Sequence, residues 1–427
     1  MRQTFYIFIL VAIVLVSCAS AAVEPTTKTV PSVFEQDSLL IHSYSFVKPE
    51  ADTIIDSTHS LDSFYASLAQ LGKAKAGEEP RVVSVVHYGD SHIQGGILGE
   101  TLMRHYALVY GTAGRGFISP HKLAGQNEPR DYSITSSVRH TALMVNERGD
   151  ELSRGVSGVS IAAPAGIDYT LKVMDLPEDS IDYRFSRVVV FHDSLAPVVS
   201  VRDTSILGEC GADDTFRSYT TTIELLDPTD SLLLVTHSDP PFSGGPIYGF
   251  SLENNRSGVI YHAMGVNGAC YTHWGRYADI ARQSEALAPQ LIVISLGSNE
   301  ASGSNFVESA FLSEVDSFVS ALRRANPTSA VLLVSPPEAM RRVRGSRTRR
   351  PNKNFEAVSL ALARYAAEHG IAFFDLYRAT GGANSSVSWA VAGMMGRDRI
   401  HYTAEGYRLQ GALIFTAIER GMKLWKR

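Results

Sequence analysis

The stretch Val82-Val83-Ser84-Val85-Val86-His87-Tyr88-Gly89-Asp90-Ser91-His92 decides the fold class. Its first half is a short apolar run rich in β-branched valine, which suits a strand covered on both faces. Its second half bends at Gly89, and the segment beyond carries Leu98, Leu102 and Tyr106 at the four-residue spacing of one helix face. Ser91 therefore stands at a strand-to-helix turn. Similar apolar runs recur at Val259–His262, Leu291–Leu296, Ala330–Val334 and Ile371–Leu376. Between them Leu312, Val315, Val319 and Leu322 mark one amphipathic helix, and Phe355, Val358, Leu362 and Ala366 another. This alternation implies an α/β fold in which helices cover both faces of a parallel sheet.

Ligand sites in open α/β sheets lie at the carboxyl ends of the strands. Ser91, Gly268 of Gly265-Val266-Asn267-Gly268 and Asn299 of Gly297-Ser298-Asn299-Glu300 all fall there. A serine hydroxyl is a weak nucleophile until a base takes its proton. His401 is the candidate base, and Asp398, three residues earlier, is placed to set the imidazole tautomer. The amides of Ser91 and Gly268 and the side chain of Asn299 are candidate donors to an oxyanion. Gly265 is a register alternative to Gly268. Each residue also has a plainer reading. Gly-Asp-Ser is common turn chemistry, Asn299 could cap a helix, Asp398 could pair with Arg399, and His401 could simply lead into a helix capped at Thr403. It is the conjunction of the motifs, behind strand-like runs, that points to a serine hydrolase.

These motifs resemble the four blocks of the SGNH/GDSL hydrolase superfamily over roughly residues 80–135 and 255–427. The resemblance implies a flavodoxin-like three-layer fold. It also implies Ser91 as nucleophile and first oxyanion donor, Gly268 and Asn299 as the other donors, His401 as base and Asp398 as its acid. His92 replaces the leucine of the GDSL form, and Glu300 stands where Asp is usual.

From about Arg130 to Arg256 the α/β rhythm gives way to short Val-, Ile-, Thr- and Tyr-rich runs punctuated by Asp, Gly, Pro and Asn, the pattern of an antiparallel β-sandwich. An insert at this place is similar in architecture to the carbohydrate-binding insert of bacterial peptidoglycan O-acetylesterases, as is the run from Gly89 to Phe117. A lid that shapes the site without binding sugar is the alternative. The expected division is a signal peptide at 1–22, a tether at 23–55, hydrolase parts at 56–135 and 256–427, and the insert at 136–255. The insert enters and leaves the hydrolase close to Ser91 and Gly268, so the sandwich is expected to hang beside the catalytic edge, where it could present a polymer.

The 427 residues are 44% hydrophobic and 19% charged, enough for a substantial core, and a net charge of −5 offers no case for nucleic acid. Arg2 precedes an apolar run from Phe5 to Val16 that is short for a membrane span, and Leu15-Val16-Ser17-Cys18 resembles a lipobox with Cys18 as the lipidated residue. Cleavage after Ala19-Ser20-Ala21 is the other possibility. Both imply export to the bacterial cell envelope, the first as a membrane-anchored lipoprotein. Cys210 and Cys270 then meet oxidising conditions, and two separate thiols or one bridge are both open. The 13 histidines are dispersed with no zinc spacing, and no cofactor is expected. Arg341, Arg342, Arg344, Arg347, Arg349 and Arg350 form a run that is either a solvated loop or a contact for an anionic glycan or membrane phosphate. The expected activity is removal of O-acetyl groups from peptidoglycan or another polysaccharide. The alternatives are an O-acyltransferase or lipid esterase using the same site, and a glycan-binding lipoprotein with a silent site.

Overall fold

Buried valine, isoleucine and leucine on alternate sides of five parallel strands build the centre of the molecule. A computed structural model describes residues 32–73, 78–149, 152–176, 180–193, 199–213, 220–237, 245–303 and 305–426, so Cys18 and the expected signal peptide lie outside the described residues. The central sheet runs in the order Ile54–Ile55, Ala372–Phe374, Ala330–Val334, Pro289–Ser295, Val82–Gly89 and Gly258–Gly265. All neighbours are parallel except the short edge strand Ile54–Ile55. Val83, Val85, Leu291, Val293 and Leu332 pack with Leu102, Tyr106, Leu409 and Leu413 of the Ile97–Tyr110 and Ala404–Trp425 helices on one face. Val86, Tyr88, Ile292, Ile294 and Leu333 pack with Val315, Val319, Val358 and Leu362 of the Glu308–Ala325 and Asn354–His369 helices on the other. The period-two alternation of the strands thus serves two helical layers at once.

The expected tether is corrected from residue 32 onward. Val33–His42 is a helix opened by a reciprocal cap between Ser32 and Glu35, and Ile41 and Val47 are buried. The signal was present as Ser32-Val33-Phe34-Glu35 ahead of Leu39, Leu40 and Ile41, a capping box before an apolar stretch. The Thr-, Ser-, Pro- and acid-rich composition around it masks that signal. Ile54–Ile55 then closes the sheet edge against Phe373 and Phe374.

Two antiparallel sheets make the insert. The larger runs Leu207–Asp213, Thr220–Thr229, Phe185–His192, Gly245–Glu253, Val159–Ala163 and Ala142–Met144, with Gly114–Ile118 also paired to Gly245–Glu253. The smaller runs Tyr132–Ser136, Asp168–Val173, Ser231–Thr236 and Val199–Val201. Strands of the sandwich therefore begin before the expected boundary at 136. Gly114 and Gly116 take φ of 142° and 80°, so this strand carries no apolar alternation by which to recognise it. The larger sheet is covered on both sides. Val188, Val190 and Phe250 meet the smaller sheet, while Phe117, Phe191 and Tyr248 belong to the core that holds Tyr271 and Trp274 of the hydrolase part.

Candidate active site

Helix and loop chemistry fix each member of the site. Gly89 ends its strand so close to the next turn that a Cβ there would lie 2.2 Å from Ile93 Cγ1. Asp90 caps the Ser91–Gln94 helix: its Oδ1 accepts the His92 amide at 2.9 Å, and its carbonyl accepts the Ile93 and Gln94 amides. Ser91 is left at the mouth of the turn. Its Oγ lies 2.8 Å from His401 Nε2, and His401 Nδ1 lies 2.6 Å from Asp398 Oδ2. Asp398 Oδ1 also accepts the Ile400 and His401 amides, each at 3.0 Å. Partial burial works to raise the Asp398 carboxyl, but the hydrogen bonds from His401 and the two amides outweigh it and hold the group below its ordinary value. An ionised Asp398 so placed keeps the proton on Nδ1 and leaves Nε2 free to accept one from Ser91. His401 does also lead into the long Ala404–Trp425 helix capped by Thr403, which anchors the loop from behind. His92 lies beneath, its Nδ1 2.9 Å from Tyr407 Oη and its ring centroid 5.3 Å from that of His401. Burial pushes the His92 ring down, so it stays neutral beside the base.

The two glycines of the second motif separate by packing. Gly265 ends the Gly258–Gly265 strand where a Cβ would come 2.2 Å from Gln94 N and 2.7 Å from Asp90 O. Gly268 sits in the following turn at φ 74°, where an added Cβ would meet only Asn146 Nδ2, at 3.4 Å. Gly265 is a close-packing position, and Gly268 is the one at the turn. Among the described residues, neither the Ser91 nor the Gly268 amide has an acceptor.

Asn299 Nδ2 donates to Ala269 O at 2.9 Å and, at a long 3.4 Å, to Asp90 Oδ2. Glu300 Oε1 accepts the Tyr271 amide at 2.8 Å. Together they clamp the 268–271 turn from the Ser298–Ser302 helix. The Glu300 stem keeps some exposure, yet its Oε2 is buried without a partner, and burial pushes the carboxyl up to about 7. Cys270, beside it, is a free thiol raised by burial. The Cys210 side chain lies outside the described residues.

Amide side chains ring this turn, a set that reading by motif missed. Asn267 N donates to Gln94 Oε1 at 2.5 Å, and Asn267 Nδ2 to Gln126 Oε1 and Asn127 Oδ1 at 3.1 Å each. Asn146, from the insert, donates to Asn267 O at 2.8 Å. Asn267 lies inside a quoted motif and Gln94 two residues beyond another, but nothing in the chain order brings Asn146 to them. Among the described residues no cluster of three His, Cys, Asp or Glu converges to hold a metal.

The GDSL-like lipase/acylhydrolase family matches residues 243–409, which include Gly268, Asn299, Asp398 and His401 but begin at the last strand of the insert and so leave out Ser91. Among solved structures, a peptidoglycan O-acetylesterase is similar at 20% identity and TM-score 0.68, covering 87% of this chain and 99% of its own. A lipase/acylhydrolase from Enterococcus faecalis matches at 23% identity, with 39% of this chain and 78% of its own covered and a TM-score of 0.31. A GDSL-like lipase from Bacteroides thetaiotaomicron matches at 22% identity, with 38% and 76% covered and a TM-score of 0.30. No curated protein matches. Residues 243–409 thus match the GDSL-like lipase/acylhydrolase family, and the fold of the chain, insert included, is similar to that of the peptidoglycan O-acetylesterase.

Proposed function

We propose that this protein is an exported serine acetylesterase that removes O-acetyl groups from peptidoglycan or another envelope polysaccharide. The observation that carries the reading is the hydrogen-bonded series Ser91, His401, Asp398 beside two amides that have no acceptor among the described residues. Ser91 Oγ attacks the acetyl carbonyl as His401 Nε2 takes its proton. The tetrahedral oxyanion receives the Ser91 and Gly268 amides, and it competes with Asp90 for the long, weak contact of Asn299. His401 returns the proton to the departing sugar oxygen, leaving acetyl-Ser91. Water, deprotonated by the same histidine, then releases acetate.

Two observations support a sugar ester over a lipid ester. The rim around Gly268 is made of amide groups suited to hydroxyls rather than acyl chains. The protein similar over 87% of this chain is a peptidoglycan O-acetylesterase, and the similarity runs through the insert. The deciding experiment measures acetate release from O-acetylated peptidoglycan, acetylated xylan and a small acetate ester. Ser91→Ala and His401→Ala are expected to abolish release while leaving the melting temperature in place, because each removes a side chain at a partly open site. Undiminished turnover by Ser91→Ala would sink the mechanism. Product analysis with an acceptor glycan separates hydrolysis from acyl transfer.

Export and anchoring rest on Leu15-Val16-Ser17-Cys18. Cys18→Ala is expected to move the protein from the membrane fraction to the soluble fraction, since acyl chains contribute about 0.8 kcal/mol of anchoring per buried methylene. Retention of the variant in membranes would argue for an uncleaved anchor.

A further inference from the structure

The arginine run is a two-stranded ribbon. Met340–Arg342 pairs antiparallel with Arg349–Pro351 in the register Met340 to Pro351, Arg341 to Arg350 and Arg342 to Arg349. Like charges directly opposite one another destabilise a ribbon, and here two successive pairs are arginine against arginine. Among the described residues no carboxylate offsets that cost, and Arg342 Nε donates only within the ribbon, to Ser346 O at 3.1 Å. No acidic residue occurs between Glu338 and Glu356, all six arginines are exposed, and among the described residues none forms an ion pair. The ribbon nevertheless has a defined seat. Met340 N donates to Arg399 O at 2.9 Å, inside the loop that carries Asp398 and His401. At its other foot the buried Asn352 donates to Ala301 O at 2.7 Å, in the helix that carries Asn299. A repulsive cationic arm is thus rooted between two segments of the site, at the carboxyl edge of the sheet.

We propose that this ribbon is a subsite for an anionic glycan, holding acidic sugar or stem carboxylates of the polymer whose ester reaches Ser91. The inference rests on the polysaccharide esterase reading above. Directly opposed residues share a face and successive ones alternate, so Arg341 and Arg350 lie on one face and Arg342 and Arg349 on the other, with Arg344 and Arg347 in the connection. A flat lipid surface would meet one face only. A linear polyanion can run along the ribbon and engage both, and guanidinium groups pair with its carboxylates bidentately.

The test compares wild type with Arg341→Gln/Arg350→Gln and Arg344→Gln/Arg347→Gln on O-acetylated polygalacturonate and on uncharged O-acetylated glucomannan. The ratio of kcat/KM for the charged over the neutral polymer is expected to fall by about tenfold in each double variant, through KM, and added salt is expected to lower it in wild type but much less in the variants. An unchanged ratio, or equal losses on both polymers, would overturn the proposal. So would loss of binding to phosphatidylglycerol vesicles with the glycan ratio kept, which would make the ribbon a membrane arm. A failure of the esterase reading is recognised separately, because wild type would then hydrolyse neither polymer nor a small acetate ester. In that case salt-sensitive binding of unacetylated polygalacturonate to the Ser91→Ala protein, lost in the arginine variants, still supports the ribbon, and its absence overturns it.

Discussion

At the residue scale, the site depends on where a Cβ can stand. Gly268→Ala places a side chain at φ 74° with only Asn146 Nδ2 near it, so its cost is backbone strain of roughly 1–2 kcal/mol that tilts the proposed oxyanion amide. The expected result is a lower kcat with a nearly unchanged melting temperature. Gly265→Ala instead drives a methyl against Gln94 N and Asp90 O, and is expected to lower the melting temperature or the folded yield. Steady-state kinetics beside thermal melts decide the assignment, and a rate loss confined to Gly265→Ala would reverse it. Asp398→Asn retains the shape of the loop but removes the charge that His401 Nδ1 faces at 2.6 Å, and up to about a 10⁴-fold loss of rate is expected if the acid sets the tautomer.

At the element scale, the Ser298–Ser302 helix holds the 268–271 turn through one carboxylate whose ionisation is unfavourable. Glu300 has its carboxyl raised from 4.5 to about 7, through burial first, with Asp90 and Glu314 adding repulsion. A carboxyl more basic folded than unfolded keeps its proton in the native state over that interval. The stability it supports is full below about 4.5 and is lost as pH rises toward about 7. Glu300→Gln keeps an acceptor for the Tyr271 amide and removes the titration. Relative to wild type, the variant is expected to gain stability between pH 4.5 and 7, by on the order of 3 kcal/mol at most. Denaturant unfolding across that range measures the difference, and parallel curves for the two proteins would exclude Glu300 as the titrating group. Glu300→Ala, which frees the turn, is expected to lower turnover as well.

At the scale of the whole molecule, the insert is part of the hydrolase core. A sandwich hanging beside the edge would bury one face of each sheet, whereas the larger sheet here buries both. Trp274 is fully buried, a Cβ at Gly158 would lie 2.9 Å from its ring, and Gln283 bridges the Val156 amide and His192 O. Replacing the insert with a linker would uncover this apolar surface and remove Asn146 from the rim, so the insert shapes the site whatever glycan it touches. Trp274→Ala is expected to cost about 3–5 kcal/mol and to lower one cooperative transition that reports sandwich and hydrolase together. Two transitions in calorimetry, only one of them shifted, would mean independent domains.

The parts of this protein visible in the chain order are those set by local physics. The runs at Val82, Val259, Leu291, Ala330 and Ile371 read as buried strands because they are short, apolar and alternate with helical patterns, and Ser91, Gly268 and Asn299 fall in the turns after three of them. Asp398 and His401, three residues apart, bring their own hydrogen bond. The Ser32–Glu35 cap was equally local, and was obscured only by the polar stretch around it. Contacts between segments distant in sequence followed other rules. The meeting of Asn146 with Asn267, the second buried face of the sandwich and the two feet of the arginine ribbon depend on how layers stack across 51 residues and more. Apolar periodicity specifies that a face must be covered, but many partners satisfy that demand equally well, and only the folded packing selects one.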